Sequence, residues 1–262
     1  MFVGLGLDNE EGISLHGLDE AKTADKIFVE LYTSIMPSLS LDRLEKLCGR
    51  NLILLQRKDV EELNGKALFD TAQNGKVVLL VPGDPLVATT HNILRTEAAK
   101  RDIATRVVHG ASAISAIVGL SGLHCYKFGK IVTIPFPTET SAETPYRVIA
   151  ENKKLGAHTL CLLDIEVESK RYLSVAEALQ ALLNIEQKRR RKVVDLDSLA
   201  VVVARAGSNG AFVKADFVRN LFHVDFGKPP FSILFPNRLH FTEAEALIVL
   251  ASAPQQIRSL IE

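Results

Sequence analysis

Lys76-Val-Val-Leu-Leu-Val81, Pro82-Gly83-Asp84-Pro85-Leu86 and Val87-Ala88-Thr89-Thr90-His91 follow one another without a break, and they read as a strand, a constrained turn and the opening of a helix. A buried parallel strand delivers its last residues to the ligand-binding edge of an open α/β sheet. Here those residues are a glycine, a carboxylate and two prolines, so a stiff turn places Asp84 at that edge. A Pro-Gly connection with an Asp helix cap explains the same residues equally well. The neighbouring stretches decide between the two.

Outward from this turn, short apolar runs at Phe2 to Leu7, Lys26 to Glu30, Asn51 to Leu55, Val77 to Val81 and Thr105 to His109 alternate with mostly helix-length segments. That alternation predicts βαβ units and a parallel sheet, an N-terminal α/β domain over residues 1–111. Residues 112–262 read differently, with strands at Ile131 to Ile134, Thr159 to Ile165, Leu199 to Ala204, Ala211 to Lys214 and Phe231 to Phe235, some closely spaced. A C-terminal α/β domain with a mixed sheet is expected there. Ser174-Val-Ala-Glu177 is a capping box, and Val175, Leu179, Leu182 and Leu183 share one helical face behind it. Lys188-Arg-Arg-Arg-Lys192 closes that helix, where cations suit the dipole. Pro135 to Pro145, rich in Pro, Thr and Glu, reads as a long loop, either a lid or an exposed linker.

Lys plus Arg equals Asp plus Glu at 31 each, so no global field draws the chain to nucleic acid or to an anionic membrane. Cys48, Cys125 and Cys161 are widely spaced and form no C-x-x-C, which argues against a disulfide framework or a zinc knuckle. None of the seven histidines pairs with a second His or Cys at zinc-ligand spacing, so no metal is expected. The first residues lack a basic and apolar leader, and no apolar run approaches the roughly 18 residues of a membrane span. A cytoplasmic protein is expected. Neither a G-x-S-x-G nucleophile elbow nor a phosphate-binding P-loop is present.

Gly4-Leu-Gly-Leu7 after the first strand suggests a nucleotide fingerprint, but the third residue after Gly6 is Asn9 rather than Gly or Ala. Asp8, Glu10 and Glu11 follow at once, a field that repels a diphosphate and tolerates a cationic ligand such as a sulfonium. A tight turn without a ligand accounts for the glycines as well. His109-Gly-Ala-Ser-Ala113 and Ala204-Arg-Ala-Gly207 repeat the pattern of a strand end with small residues. Four such ends, spread over both halves, suggest a ligand held in a cleft between two α/β domains.

Gly4 to Leu7, Tyr32-Thr-Ser34, Gly83 to His91, Tyr126-Lys-Phe-Gly129, Leu163-Asp-Ile165 and Ala204 to Gly207, in this order, resemble the diphthine synthases. These are the diphthamide-pathway branch of the tetrapyrrole methylase superfamily. The resemblance spans nearly the whole chain. It implies a homodimer of two-domain subunits binding S-adenosylmethionine between the domains, and methyl transfer to the amino group of a modified histidine on translation elongation factor 2. By motif, the implied cofactor contacts are Leu7, Asp84, Val87, Ser112, Ala113, Leu163 and Ala206, with Phe231 where the family pattern has His. A backbone contact survives that change; an imidazole contact does not. No residue is assigned as general base, although Asp84, Glu30 and His91 are candidates by location, and Tyr126-Lys127-Phe128 is either an acceptor wall or packing. Three other readings stay open: a sister methylase acting on uroporphyrinogen or a precorrin, an NAD-dependent oxidoreductase, and a non-catalytic adaptor for translation factors.

Overall fold

The computed structural model describes residues 1–138 and 142–262. Two compact units divide the chain, one formed by Met1–Ala113 with Val167–Ser169 and Gly207–Asn209, the other by Ile114–Glu166, Lys170–Ala206 and Gly210–Glu262.

The first unit runs β1 Phe2–Gly4, α1 Leu15–Lys22, β2 Lys26–Glu30, α2 Leu41–Cys48, β3 Leu52–Leu55, α3 Arg57–Glu61, α4 Lys66–Ala72, β4 Val77–Val81, α5 Asn92–Lys100 and β5 Val107–Val108. Its strands lie in the order β3-β2-β4-β1-β5, and every pairing is parallel, as the alternation predicts. The near-continuous apolar strands follow from cover on both faces. Val3, Ile27, Val29, Val78 and Leu80 pack with Leu18, Ala21, Leu44 and Cys48 of α1 and α2. Phe2, Phe28, Leu79 and Val81 pack with Val60, Leu68, Phe69, Leu94 and Ala98 of α3, α4 and α5. The chain thus leaves β1 over one face of the sheet and leaves the adjacent β4 over the other. Connections that diverge from neighbouring parallel strands open a crevice at the strands' carboxyl ends.

Local expectations shift at element ends, and of the run from Thr105 to His109 only Val107–Val108 forms a strand. β1 stops at Gly4 rather than reaching Leu7. The helix after the central turn starts at Asn92, not at Val87, because Ala88 sits at φ 58, a left-handed conformation no helix propagates.

In the second unit come α6 Ala113–Ser121, β6 Val132–Ile134, α7 Glu143–Lys154, β7 Thr159–Leu163, β8 Ile165–Glu166, β9 Arg171–Tyr172, α8 Val175–Arg189, β10 Leu199–Ala204, β11 Phe212–Phe217, α9 Val218–Leu221, β12 Phe231–Phe235 and α10 Phe241–Leu250. The sheet order is β11-β10-β12-β7-β6, antiparallel except for the parallel pair β6 and β7, a mixed sheet as expected. One face, carrying Cys161, Ala200, Val202, Ala204 and Ile233, packs on α7, α8 and α9. The Ser174 and Glu177 capping box starts α8, and Val175, Leu179, Leu182 and Ile185 bury its apolar face. Leu183 sits only partly buried at the rim of that core. The loop read over Pro135 to Pro145 is shorter than expected, since α7 begins at Glu143. Pro145 occupies its first turn, where a missing N–H removes no helical hydrogen bond. Glu139, Thr140 and Ser141 lie outside the described residues.

Candidate active site

At the carboxyl end of the parallel sheet, β1 and β4 continue their pairing into the turns. Leu5 donates its N–H to the Val81 carbonyl at 2.8 Å, and Gly6 and Gly83 exchange two backbone hydrogen bonds of 3.2 and 2.7 Å. A Cβ on Gly4 would lie 2.5 Å from the Gly83 carbonyl oxygen, and one on Gly110 would lie 2.3 Å from the same atom. The loops after three adjacent strands therefore meet main chain to main chain, which only residues without a side chain permit. The glycines read as a nucleotide fingerprint do this packing.

The acids that follow are also engaged. Asp8 accepts from the Ser38 hydroxyl at 2.8 Å, and buried Glu10 takes the Ser40 amide at 3.2 Å and the Arg43 guanidinium at 2.8 Å. Burial alone would raise the Glu10 carboxyl; the backbone amides and Arg43 outweigh it and hold the group below its usual range. Asp8 and Glu10 tie down the segment before α2.

Asp84 caps no helix. It is 5% exposed, and one oxygen accepts the Leu86 amide at 3.0 Å while the other meets His109 Nδ1 at 2.7 Å. The His109 side chain is 72% exposed, so the pair runs from a buried carboxylate to an imidazole in solvent. Val87, next along the turn, is exposed. Leu7 follows β1, and its side chain lies against Gly207, where an added Cβ would come within 2.4 Å of Leu7 Cδ1. Ser112 and Ala113 sit where the segment after β5 enters α6. The five positions expected from this unit thus all follow β1, β4 and β5, three neighbouring strands, four on the loops and Ala113 at the start of α6.

Beneath the turn lies a buried network that strand-end reasoning did not identify. Glu30 ends β2 and is fully buried; it accepts from the Tyr32 and Thr33 amides at 3.0 and 3.1 Å and from the Thr33 hydroxyl at 2.6 Å. His91, also fully buried, places Nε2 3.6 Å from Glu30 Oε1 and 3.5 Å from the Tyr32 hydroxyl, with Nδ1 3.1 Å from the Pro85 carbonyl. Burial pushes the Glu30 carboxyl up to about 7 against the pull of its hydrogen bonds, and burial lowers the His91 imidazole. Neither side chain reaches solvent, so location alone does not make either a base for an external substrate.

The second unit brings Leu163, Ala206 and Phe231 to one edge of its own sheet. Leu163 ends β7, Ala206 follows β10, and Phe231 begins β12, which lies between those strands and runs antiparallel to both. Arg205, from the Ala204 to Gly207 motif, holds this edge together. Its guanidinium donates to the carbonyls of Gly210 at 2.9 Å and Phe226 at 2.6 Å and to that of Lys228, and its amide donates to Pro230 at 2.8 Å. The Tyr126 to Gly129 motif resolves toward packing. Lys127 is bound to fully buried Glu243 at 2.6 Å, Phe128 stacks edge-on against His158, and Tyr126 alone is open to solvent at 96%. Glu243 also accepts from His158 Nε2 at 2.9 Å and from the amides of His124 and His240, both at 2.8 Å. Among the described residues no three His, Cys, Asp or Glu side chains are placed to hold a metal, and no helix is long and apolar enough to cross a membrane.

This architecture has a match in known proteins. The family model for tetrapyrrole (corrin/porphyrin) methylases matches residues 1–221, and the chain belongs to that family of methyltransferases. Relatives matched over nearly their whole length include diphthine synthases. The diphthine synthase of Methanosarcina mazei is 45% identical over 267 residues, covering 100% of this chain and 99% of that protein. The one from Methanothermobacter thermautotrophicus is 43% identical, covering 97% and 96%. A crystal structure of diphthine synthase superposes with a TM-score of 0.90 at 39% identity, covering 99% of this chain and 98% of that one.

Proposed function

We propose that this chain is a diphthine synthase that methylates the amino group of the modified histidine on translation elongation factor 2, with S-adenosylmethionine as donor. The observation that carries the reading is the Asp84 turn, a buried carboxylate set by main-chain glycines at a topological crevice, in a chain that matches diphthine synthases end to end. S-adenosylmethionine supplies an electrophilic methyl group on a cationic sulfur, so that an amine lone pair forms the new N–C bond as the S–C bond breaks. Asp84 orients the donor near its cationic end. Backbone and side-chain atoms of Leu7, Val87, Ser112 and Ala113 complete the contacts that the first unit offers, and Leu163, Ala206 and Phe231 are the candidate contacts on the second unit's own sheet edge. Arg205 presents the last two by fixing the carbonyls around them. The acceptor amine must arrive without its extra proton. The protein's contribution is alignment and the exclusion of water.

The same reading places a homodimer in the cytoplasm. Phe241, Val249 and Leu250 on α10 are exposed apolar side chains suited to a second copy, and three free cysteines fit a reducing compartment. Incubation with S-adenosylmethionine and elongation factor 2 carrying the unmethylated intermediate, followed by mass spectrometry, tests the proposal. A mass increase in whole methyl increments at the modified histidine is expected. No increase, or transfer to uroporphyrinogen instead, overturns it.

A further inference from the structure

The Pro85 carbonyl, in the middle of the proposed donor-binding turn, accepts two side-chain bonds, from Thr89 Oγ1 at 2.7 Å and from His91 Nδ1 at 3.1 Å. A carbonyl oxygen only accepts, so Nδ1 carries the proton and Nε2 presents its lone pair. That lone pair faces the Tyr32 hydroxyl at 3.5 Å and Glu30 at 3.6 Å, behind the end of the neighbouring strand β2. The imidazole therefore bridges two adjacent strand ends, its Nε2 within reach of the Tyr32 hydroxyl and its Nδ1 on the turn. The turn needs such support. Ala88 is held in the left-handed region, and a conformation of that kind persists only where its surroundings over-determine it.

We propose that His91 is the positioning residue of the Asp84 to Val87 turn, its Nδ1–H holding the Pro85 carbonyl so that Asp84 and Val87 are set to receive S-adenosylmethionine. This rests on reading that turn as the donor site. His91 acts through the turn and touches neither substrate. Its loss weakens donor binding and leaves the transfer step in the saturated enzyme nearly intact, because the turn's contacts are to the donor and are made before the reaction. Burial keeps the imidazole neutral among the groups that face it, Glu30 and Tyr32 after β2 and Glu61 on α3, with Arg57 lying over the Tyr32 ring.

The test compares His91→Phe, which keeps the ring and its burial but loses the donor, with His91→Asn, whose amide nitrogen stands near the place of Nδ1. S-adenosylhomocysteine affinity is read by calorimetry and the kinetic constants by methyl transfer. His91→Phe is expected to raise the dissociation constant and the donor KM roughly tenfold with kcat within about twofold, and His91→Asn to recover most of the affinity. Wild-type affinity in the Phe variant, or an Asn variant as weak as Phe, overturns the proposal. Failure of the wild type to bind S-adenosylhomocysteine instead removes the donor-site reading itself. Should the Phe variant not fold, nitrogen NMR of histidine in the wild-type protein decides. A proton on Nδ1 and a bare Nε2 between about pH 6 and 8 support the assignment, and a proton on Nε2 alone overturns it.

Discussion

Each unit buries one glutamate against one histidine, and the two pairs behave in opposite ways. Glu30 and His91 are fully buried 3.6 Å apart, and the Glu30 carboxyl is raised to about 7. Glu243 and His158 are fully buried 2.9 Å apart, and the Glu243 carboxyl is lowered to about 2. Burial pushes both upward. Both also accept backbone amides, so donors alone do not separate them. The difference is the Lys127 ammonium, 2.6 Å from Glu243, joined by His158 Nε2 at 2.9 Å, where Glu30 accepts only from the Thr33 hydroxyl and amides and has His91 no nearer than 3.6 Å. A full cation at hydrogen-bond distance decides the charge of a buried carboxyl. The consequence is a locked ionic knot inside the second unit and a titratable network directly beneath the proposed donor turn.

Removing the carboxylate from the knot is expected to have the largest effect. Glu243→Gln leaves Lys127 with the Arg238 carbonyl alone and takes the charged acceptor from His158, and urea unfolding near neutral pH should show a loss of about 3–5 kcal/mol. Lys127→Met sharpens the comparison by making Glu243 resemble Glu30. A loss of about 2 kcal/mol is expected near neutral pH. The wild type should also show a pH signature that this variant lacks. A carboxyl held down to about 2 contributes stability above its ordinary 4.5, which is lost as pH falls from 4.5 toward 2. Stability measured across that acid range checks the point.

The smallest change is expected at Glu30, and its pH signature runs the other way. A carboxyl raised to about 7 binds its proton more tightly in the folded protein, so stability falls as pH rises from the ordinary 4.5 through 7. Glu30→Gln should flatten that slope, changing stability by less than about 1 kcal/mol below the window, where the native carboxyl is neutral like the amide, and raising it above the window. A slope that persists in the variant would place the titration elsewhere.

Much of this was legible in the chain itself, and what was hidden has a common cause. Lys26 to Glu30, Val77 to Val81, Leu199 to Ala204 and Phe231 to Phe235 read as strands to the residue because each is an apolar run bounded by turn or charged residues. The α8 start was readable because Ser174 and Glu177 cap within one turn. Errors came where distant backbone or a local reversal intervenes: β1 stops early beside Gly83 and Gly110, and the helix after the turn begins only beyond left-handed Ala88. The candidate site divides likewise. Asp84, Val87, Ser112 and Ala206 stand at strand ends, which local turn chemistry marks. The Arg205 clamp, the His91 bridge and the Glu243 knot join residues far apart in the chain, up to 119 positions for His124 and Glu243, and no spacing rule reaches them.

The central claim is that the Asp84 carboxylate orients S-adenosylmethionine, and calorimetry of S-adenosylhomocysteine with wild type and Asp84→Ala tests it most directly. The wild type should bind, and the variant should remain folded with affinity weakened at least about tenfold, a cost near 1.4 kcal/mol. Equal affinity in the two proteins would contradict the account.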